Sequence, residues 1–439
     1  MNNKTENIVI VGGGAGGLEL AVKLGKTLGK KGRATITLID RSRTHVWKPL
    51  LHQVAAGTMD SHAEEIEYLA LGWRHHFRFR LGELIGLDRA TKEIRLAPVL
   101  SAEGEILVPE STMTYDRLVL AIGSQSNDFN TPGAREHCIF LDSALAAQNF
   151  HRKLIDASLR AQSNANAPGA GRFTVAIIGG GATGVELAAE LHMTARIMDS
   201  YGLQNLHPER DFKIVILDAA PRILPLLPER VSSAVSHELR KLDIDIHSNE
   251  KVVEVTAAGV QMGSGKFIPS RLTVWAAGIK APEFLKNLGG LATNRLNQIE
   301  VDRTLQSTTD ASIFAFGDCA ACPINDEGQG FVPPRAQAAH QQAMLLAKSI
   351  ARVLDGKTPL KFTYKDRGSL VSLGEYSTVG SLMGGIRQGS VFIEGLFAKW
   401  MYWSLHKHHQ VAINGAFRTW LATWVEAIDR IRNPRIKLH

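Results

Sequence analysis

The chain has 439 residues, of which 44% are hydrophobic and 21% charged, and its formal net charge is +7. This length predicts about three domains, and the composition is that of a soluble globular protein. The 3 cysteines are too few for a disulfide framework, which excludes a small disulfide-stapled scaffold and suits a reducing compartment.

The chain opens with an apolar strand and a glycine-rich turn, and no signal segment precedes them, so we do not expect secretion. Strand 8–11 leads into a G-x-G-x-x-G fingerprint on Gly12, Gly14 and Gly17. In such a turn the glycines bring the backbone close to a pyrophosphate, and the N-terminus of the following helix faces the anion. The next predicted strand ends at Asp40, whose carboxylate can accept hydrogen bonds from a ribose diol.

A second copy of this fingerprint stands on Gly179, Gly181 and Gly184, and the strand after it ends at Asp218. Two complete copies predict two dinucleotides on one chain, and therefore electron transfer between them. Asp218 favours NADH over NADPH because a carboxylate repels a 2′-phosphate. Arg222 lies close enough in the sequence to weaken that preference.

The same order of elements surrounds both fingerprints. A closing strand ends in A-x-G at residues 121–123 in the first copy and at 276–278 in the second, which indicates an internal duplication. A small, polar segment at 161–171 is typical of a linker between the copies. The acid of the second copy lies further from its glycines than the usual spacing of about 20 residues, and we attribute the excess to an insertion at 200–211.

After the second copy, an apolar strand ends at Gly317 and Asp318, and a helix is predicted to begin near Pro333 and Pro334. Cys319 and Cys322 form a C-x-x-C. No second C-x-x-C or H-x3-H nearby completes four zinc ligands, so we expect two packed or free thiols and no metal.

The C-terminal tail is rich in tryptophan and basic residues. Its apolar positions step by three and four residues, which predicts an amphipathic helix, and no apolar run is long enough to span a membrane. This series is Ile413, Phe417, Trp420, Leu421, Trp424, Ile428 and Ile431. Aromatic and cationic residues together favour a helix lying at an anionic membrane surface. The alternative is a helix packed on the core or on a second subunit, which leaves a homodimer open.

These motifs resemble, along the whole chain, those of the two-dinucleotide-binding-domain flavoproteins. Within that superfamily the chain is similar to the type II, non-proton-pumping NADH:quinone oxidoreductases of bacterial respiratory membranes. The closer match rests on the segments WKPLLH (47–52), SQSNDF (124–129), GATGVE (181–186), WAAGIKAP (275–282) and GDCA (317–320), and on the AQxAxQ helix start at 336–341.

The resemblance implies an α/β fold in which a Rossmann-like FAD-binding domain contains an inserted Rossmann-like NADH-binding domain. A C-terminal amphipathic helical region would then anchor the protein to the membrane. The implied boundaries are 1–171 for the first part of the FAD domain, 172–300 for the NADH domain, 301–390 for the second part of the FAD domain with the quinone-site region, and 391–439 for the membrane-binding region.

The resemblance also assigns residues to the two nucleotide sites. Non-covalently bound FAD would contact Gly12, Gly13, Gly14, Ala15, Gly16, Gly17, Asp40, Lys48, Ala121, Gly123, Asp318, Ala336 and Gln337. NADH would contact Gly179, Gly181, Thr183, Gly184, Asp218, Ala277 and Gly278. Lys48 would neutralise the FAD pyrophosphate and Asp318 would bind the ribityl hydroxyls, whereas the plainer alternatives are a solvated lysine and an exposed turn aspartate.

Three catalytic residues follow from the same resemblance. Glu186, two residues past the second fingerprint and in the first turn of its predicted helix, would lie near the flavin and the nicotinamide and handle a proton. Gln337 and Gln341, which share a helix face, would donate to the carbonyls of a quinone. The plainer alternatives are a carboxylate stabilised by the helix dipole and a pair of solvated glutamines.

The expected activity is hydride transfer from NADH to FAD and two-electron reduction of a membrane quinone, either ubiquinone or menaquinone. The protein would bind peripherally to the cytoplasmic face of the bacterial inner membrane. Its partners would be the quinone and an anionic lipid surface, and no nucleic acid, since no nucleic-acid-binding motif accompanies the positive charge.

Other flavoenzymes of the superfamily are the competing interpretations. Disulfide reductases and sulfide:quinone oxidoreductases need a reactive cysteine pair, and no cysteine precedes Cys138 in this chain. An NADH oxidase or a ferredoxin reductase would lack the aromatic and basic tail. A nucleotide-binding redox sensor, which is not an enzyme, would keep the fingerprints without needing the glutamine pair or the tail.

Overall fold

The structure is a computed structural model, and it describes residues 5–60, 65–164, 173–201, 212–374, 376–383, 390–432 and 436. The α-helices within these residues are α1 (Ala15–Leu24), α2 (Leu51–Ala56), α3 (Tyr68–His75), α4 (Ala134–His137), α5 (Ala144–Asn164), α6 (Ala182–Ser200), α7 (Glu229–Lys241), α8 (Ala336–Leu354), α9 (Leu396–Asn414) and α10 (Ala416–Arg432). A π-helical turn, Gly25–Gly29, extends α1, and shorter 3-10 turns lie at Lys48–Leu50, Glu283–Asn287 and Gly317–Cys319.

The strands of the first half are β1 (Glu6–Val11), β2 (Ala34–Asp40), β3 (Thr44–His45), β4 (Ile66–Glu67), β5 (Arg78–Leu81), β6 (Leu84–Asp88), β7 (Glu93–Leu96), β8 (Val99–Leu100), β9 (Ile106–Val108), β10 (Ser111–Thr114), β11 (Arg117–Leu120), β12 (Gln125–Ser126), β13 (Ile139–Phe140), β14 (Phe173–Ile178) and β15 (Phe212–Leu217). Those of the second half are β16 (Ile244–His247), β17 (Val252–Thr256), β18 (Gly259–Met262), β19 (Phe267–Pro269), β20 (Leu272–Trp275), β21 (Ile279–Lys280), β22 (Ile299–Glu300), β23 (Ile313–Ala315), β24 (Ala320–Ala321), β25 (Gly368–Ser372), β26 (Thr378–Met383) and β27 (Ser390–Glu394).

The chain divides into two compact units, and it passes between them several times. Unit 1 consists of Met1–Trp47, Glu65–Gln125 and Lys280–Lys365, and unit 2 of Lys48–Glu64, Ser126–Ile279 and Asp366–His439. The bounds of these two units differ from those of the four segments that the sequence predicts. The predicted domain boundaries therefore stay a prediction.

Unit 1 is built on a five-stranded parallel sheet in the order β23-β11-β1-β2-β5. Ile8, Val9 and Ile10 of its central strand are fully buried, as expected for a parallel sheet that is covered on both faces. The glycine-rich turn follows this strand at the carboxyl edge of the sheet, between the ends of β2 and β11. That edge is where open α/β sheets bind nucleotides.

Unit 2 repeats the plan with a five-stranded parallel sheet in the order β13-β20-β14-β15-β16. Each unit also carries a three-stranded antiparallel sheet next in the sequence to its parallel strands, β10-β7-β6 in unit 1 and β17-β18-β19 in unit 2. The duplication predicted from the fingerprints therefore extends to the whole nucleotide-binding unit. Unit 2 adds a further antiparallel sheet, β25-β26-β27, and the two C-terminal helices.

Helix lengths differ from the sequence expectation at two places. Helix α5 continues to Asn164, into the predicted linker at 161–171, so the linker does not begin at 161. Helix α6 has 19 residues, which accounts for part of the long spacing before Asp218. Most of the predicted insertion at 200–211 lies outside the described residues.

The tail forms two helices instead of one, because the chain breaks at Gly415, which has a φ of +84°. Ile413 is fully buried at the end of α9, before the break, so its assignment to the same helix as the other positions of the series was wrong. In α10 the predicted positions Phe417, Trp420, Leu421, Trp424 and Ile428 are all exposed, whereas the side chain of Ile431 lies outside the described residues. No described helix is long and apolar enough to cross a membrane.

Candidate active site

The first glycine turn is closed by the acid that ends β2. Gly12 has a φ of +103°, and a side chain there would collide with the Ala121 carbonyl, so only glycine fits. The Gly13 N–H donates to Oδ2 of Asp40 at 2.6 Å, and the Ser42 N–H donates to Oδ1 at 2.8 Å. Asp40 therefore holds the turn, and its oxygens lie beside the position predicted for a ribose.

The second turn has the same construction. Gly179 has a φ of +116°, and a Cβ there would lie 2.6 Å from the Ala276 carbonyl carbon. The Gly180 N–H donates to Oδ2 of Asp218, and the Ala220 N–H donates to Oδ1 at 2.7 Å. The two acids predicted to face ribose thus occupy equivalent places in the two units.

The N-termini of α1 and α6 can both accept an anion. Gly14 and Gly181 are the residues that precede the helices, and neither helix has a side-chain cap or an acidic residue in its first turn. A Cβ on either glycine would meet no atom of the described residues within 4 Å, so these residues leave open space in front of the first N–H groups. Ala15 is the first residue of α1, and Thr183 is the second residue of α6. Uncapped N–H groups beside open space fit the pyrophosphate of a dinucleotide.

In unit 1 the start of α8 lies against the start of α1. A Cβ on Gly16 would lie 3.2 Å from the Ala339 carbonyl oxygen and 2.5 Å from the Phe316 ring. The Gly317 N–H donates to Oε1 of Gln342 at 2.9 Å, which ties the Gly-Asp turn to α8. The structure therefore brings together the first fingerprint, the Gly-Asp turn and the AQxAxQ helix start, which are far apart in the sequence.

Asp318 is held at this place by defined contacts. The Ser124 hydroxyl donates to Oδ2 of Asp318 at 2.7 Å, and Nε2 of Gln298 donates to its main-chain oxygen at 2.9 Å. Ser124 directly follows Gly123, at the carboxyl end of β11. A carboxylate fixed between two strand ends fits a hydroxyl-rich ligand better than a solvated turn residue would.

Sequence reasoning missed two side chains that hold the first turn. The Tyr68 hydroxyl donates to the Gly13 carbonyl at 2.7 Å, and Nδ1 of His45 lies 3.0 Å from the same oxygen. Burial raises the pKa of Tyr68 well above its usual value, so the phenol stays a donor. No sequence pattern identifies these residues, because they come from separate elements, β3 and α3.

The two predicted glutamines differ in their surroundings. Gln341 exchanges two hydrogen bonds with the main chain of Lys365: its Nε2 donates to the carbonyl at 2.9 Å and its Oε1 accepts the N–H at 3.1 Å. Gln337, the second residue of α8, is half-buried. The predicted contacts of both residues with quinone stay predictions, and the occupied amide makes Gln341 the weaker candidate.

Glu186 lies in the core of unit 2. It is the fifth residue of α6, so its placement in the first turn was wrong, and it is 6% exposed. The Ser372 N–H donates to its Oε1 at 3.0 Å. Burial nevertheless raises the pKa of Glu186 to about 8, so the carboxyl holds a proton at neutral pH. A helix-dipole role does not account for this position.

His52 lies beside this carboxyl group, with Nδ1 3.6 Å from Oε2 of Glu186. Burial lowers the pKa of His52 to about 4, and a hydrogen bond to the Pro49 main chain opposes the shift. Between about pH 4 and pH 8 both groups are neutral, so they form no ion pair. Nε2 of His52 is buried and has no hydrogen-bond partner among the residues that the structure describes.

The remaining predicted residues of the NADH site lie near Asp218 or at the end of β20. The Ala277 carbonyl accepts Nε1–H of Trp275 at 2.9 Å, and Gly278 accepts the Asn127 N–H at 3.2 Å. Arg222 donates to the main-chain oxygens of residues 224, 225 and 227 at 2.8 to 3.1 Å, so its guanidinium group braces its own loop. Because the Arg222 guanidinium group binds these main-chain oxygens, the contacts argue against a role for it in binding the 2′-phosphate of NADPH.

Two other predicted positions add little to the site. Lys48 begins the 3-10 turn Lys48–Leu50 of unit 2, and its contact with FAD stays a prediction. Cys319 and Cys322 are both buried, and burial raises their thiol pKa values to about 11 and about 12. Such thiols are not thiolates at neutral pH, and the described part of the chain contains no group of three or more metal-ligating side chains.

Known proteins resemble the chain along its whole length. The profile of the pyridine nucleotide-disulphide oxidoreductase family matches residues 6–343. The type II NADH:quinone oxidoreductase of Haemophilus influenzae is 42% identical over 446 residues, which cover 99% of this chain and 100% of that one.

Solved structures share the fold at lower identity. NDH2 from Plasmodium falciparum in complex with NADH matches with a TM-score of 0.81 and 18% identity, over 99% of this chain and 100% of that one. The sulfide:quinone oxidoreductase of Aquifex aeolicus matches with a TM-score of 0.71 and 19% identity, over 94% and 92% of the two chains. Because enzymes of different activity share this fold, the fold by itself does not show which of these activities a chain has.

Proposed function

The chain belongs to the type II NADH:quinone oxidoreductases, within the pyridine nucleotide-disulphide oxidoreductase family, and on this premise we propose that it oxidises NADH and reduces a membrane quinone through bound FAD. The reaction pumps no protons, and the quinone is ubiquinone or menaquinone. The observation that carries the proposal is the pair of equivalent glycine turns, each with open space before an uncapped helix and an acid beside it.

FAD fits unit 1 better than unit 2. FAD is longer than its ADP half by a ribityl chain and a ring system, and unit 1 offers a second set of groups beyond the first fingerprint. These are Asp318 with Ser124, and the uncapped N-terminus of α8 beside that of α1. When bound, FAD supplies the redox chemistry, accepting hydride from NADH and passing two electrons to the quinone. The chain supplies orientation, through the glycine turns, Asp40 and Asp218.

NADH fits unit 2 and is preferred over NADPH. Asp218 offers carboxylate oxygens where a 2′-phosphate would have to lie, and like charges repel. Arg222 does not offset that repulsion, because its guanidinium group binds main-chain oxygens.

Glu186 holds the proton that quinone reduction consumes. Reduction of a quinone to a quinol needs two protons, and a buried carboxyl with a pKa near neutrality is suited to donate one and take it back. The proton is held on a carboxyl oxygen of Glu186, with the Ser372 N–H as a fixed neighbour.

Helix α10 attaches the protein peripherally to an anionic lipid surface, at the cytoplasmic face of the inner membrane. Five side chains, which we call the apolar face, are exposed along one side of α10: Phe417, Trp420, Leu421, Trp424 and Ile428. The last four of these residues lie three, four, seven and eleven positions after Phe417, which places all five on one stripe of the helix. The rings of Trp420 and Trp424 lie 6.1 Å apart, and Arg418 is exposed beside them. Tryptophan and arginine together suit the headgroup level of a membrane.

Vesicle sedimentation tests the attachment. Replacing Trp420 and Trp424 with glutamine should abolish sedimentation with vesicles that contain phosphatidylglycerol. Trp73→Gln is the matched control, because Trp73 is 87% exposed but lies on α3 of unit 1. Equal release of both variants, or no release of either, would contradict a lipid contact through the apolar face.

An anaerobic stopped-flow experiment tests the activity. The FAD-loaded protein should lose its flavin absorbance on addition of NADH and regain it rapidly with a short-chain ubiquinone or menaquinone. Sulfide in place of NADH should not bleach the flavin, because the chain has no exposed cysteine among its described residues. Fast reoxidation by oxygen or a ferredoxin with slow reoxidation by quinone would favour the competing oxidase or reductase activities.

A further inference from the structure

A buried acid follows the first fingerprint at the place that Glu186 occupies after the second. Glu19 is the fifth residue of α1, as Glu186 is the fifth residue of α6, and Glu19 is 2% exposed. Nδ1 of His340, on α8, lies 2.5 Å from Oε2 of Glu19. The corresponding distance in unit 2, from His52 to Glu186, is 3.6 Å. The duplication therefore extends to a buried carboxyl group beside a histidine, and in unit 1 the two side chains are within hydrogen-bond distance.

Helices α1 and α8 of unit 1 lie side by side and run in the same direction. At their starts, a Cβ on Gly16 would lie 3.2 Å from the Ala339 carbonyl oxygen. At their far ends, Nη2 of Arg33 lies 2.6 Å from Oδ1 of Asp355. Arg33 follows the π-helical turn that extends α1, and Asp355 directly follows α8. Both uncapped N-termini are therefore at the same end of the helix pair.

The Glu19–His340 pair joins the two helices close to that end. Each residue is the fifth of its helix, so the pair lies about one turn from both N-termini. Two residues further along α8, the buried Gln342 accepts the Gly317 N–H at 2.9 Å. The start of α8 is thus held to α1 by His340, and to the turn that carries Asp318 by Gln342.

A polar contact defines the position of a helix more sharply than apolar packing does. Hydrophobic attraction has no direction, whereas a hydrogen bond weakens steeply when its distance or angle changes. A buried carboxyl group that loses a partner also costs free energy. Sliding α8 along α1 by one residue would separate His340 from Glu19, so the pair opposes that movement.

We propose that Glu19 and His340 are positioning residues for FAD: their hydrogen bond fixes the start of α8 beside the start of α1, so that α8 and Asp318 meet the ribityl and ring half of FAD while the first fingerprint holds the ADP half. This inference rests on the proposed function, in which unit 1 binds FAD. The pair acts through α8, so the affinity for FAD depends on it and the affinity for ADP does not.

Binding of FAD and ADP to the full-length, FAD-loaded protein tests the pair. Free FAD separated by ultrafiltration at a series of dilutions gives the Kd for FAD. Displacement of bound FAD by added ADP gives the Kd for ADP in unit 1, since only ADP that enters this unit displaces FAD.

His340→Leu removes the partner of Glu19. We expect this variant to raise the Kd for FAD by about tenfold or more, the usual effect of losing a hydrogen bond to a charged group. The Kd for ADP should stay at the wild-type value. His340→Asn should restore most of the FAD affinity, because the asparagine amide nitrogen can take the place of Nδ1.

Asp355→Asn is the matched control. It breaks the ion pair at the far ends of the same two helices, where the Asp355 side chain is 44% exposed, and it should leave both Kd values unchanged. If His340→Leu does not fold, Glu19→Leu combined with His340→Leu takes its place, because this double variant leaves no unpaired carboxyl group in the core. Its FAD affinity should fall by the same factor, since the hydrogen bond is absent.

The outcomes separate this inference from the proposed function. Equal weakening of FAD and ADP would overturn it, because the pair would then act on the folding of unit 1 as a whole. Unchanged FAD affinity without the pair, or an affinity in His340→Asn as low as in His340→Leu, would overturn it as well and leave the proposed activity intact. If the variants behave as expected but NADH does not bleach the wild-type flavin, the positioning role stands and the proposed function is refuted.

Discussion

Replacing Glu186 with glutamine should change how the stability of the protein depends on pH. In the native state burial raises the pKa of this carboxyl from 4.5 to about 8. Between these two values the native protein binds a proton that the unfolded chain does not bind. The free energy of unfolding therefore falls as pH rises through this window, and it levels off above about pH 8.

The size of the effect follows from the same two values. One pKa unit corresponds to 1.36 kcal/mol, so the wild type loses about 4 kcal/mol of stability between pH 5 and pH 8 through this group. Glutamine titrates in neither state, and the variant lacks this loss. Relative to the wild type, Glu186→Gln should gain about 4 kcal/mol on going from pH 5 to pH 9. For a unit of this size that is roughly 8 °C in the thermal midpoint.

Thermal unfolding of the FAD-loaded protein at pH 5, 7 and 9 and constant ionic strength measures this difference. The contribution of His52 is the same in both proteins and cancels. Glu254→Gln is the control for removing one carboxyl group from the same unit, because Glu254 is exposed on β17. A constant difference between Glu186→Gln and the wild type would refute the reasoning, since the carboxyl would then be ionised in the native protein at neutral pH.

The other predictions concern the two nucleotide turns. Gly12→Ala should abolish FAD retention, because a Cβ at this positive φ collides with main-chain atoms. Gly179→Ala introduces the same kind of collision in the second turn, so this variant should retain FAD, but NADH should no longer bleach its flavin absorbance. Absorbance of the purified variants checks both, and FAD loss in both would contradict the separate assignment of the two turns. Asp218→Ser should raise the ratio of kcat/KM for NADPH over NADH by about tenfold or more, since the repulsive carboxylate is gone. Asp40→Ser should weaken FAD binding and leave that ratio unchanged, and a change in the ratio would reverse the assignment of the two acids.

Local features were predictable from the sequence. A strand, a glycine turn and a helix follow each other directly, so Gly12 and Gly179 could be placed from neighbouring residues alone. The acids Asp40 and Asp218 were also predictable, because they stand at or directly after the end of the strand that pairs with the strand before the turn. Their hydrogen bonds to the N–H groups of Gly13 and Gly180 follow from that register.

Contacts between distant segments were not predictable in the same way. Ser372 lies 186 residues from the carboxyl group of Glu186, which it contacts. Gln341 was assigned from a helix face, but a helical pattern does not say what each face meets, and this side chain meets the Lys365 main chain. The tail series failed at Ile413 because periodicity was read through Gly415, whose positive φ ends one helix before the next begins.

The carboxylates of Asp40 and Asp218 have a consequence for the energetics of nucleotide binding. Asp40 accepts the Gly13 N–H and Asp218 accepts the Gly180 N–H, so each turn is closed by the protein's own groups. Glycine has more conformational freedom to lose than any other residue, and here that loss accompanies folding instead of nucleotide capture. A dinucleotide then meets a preorganised cradle, and its phosphate contacts contribute to affinity without first having to order the loop.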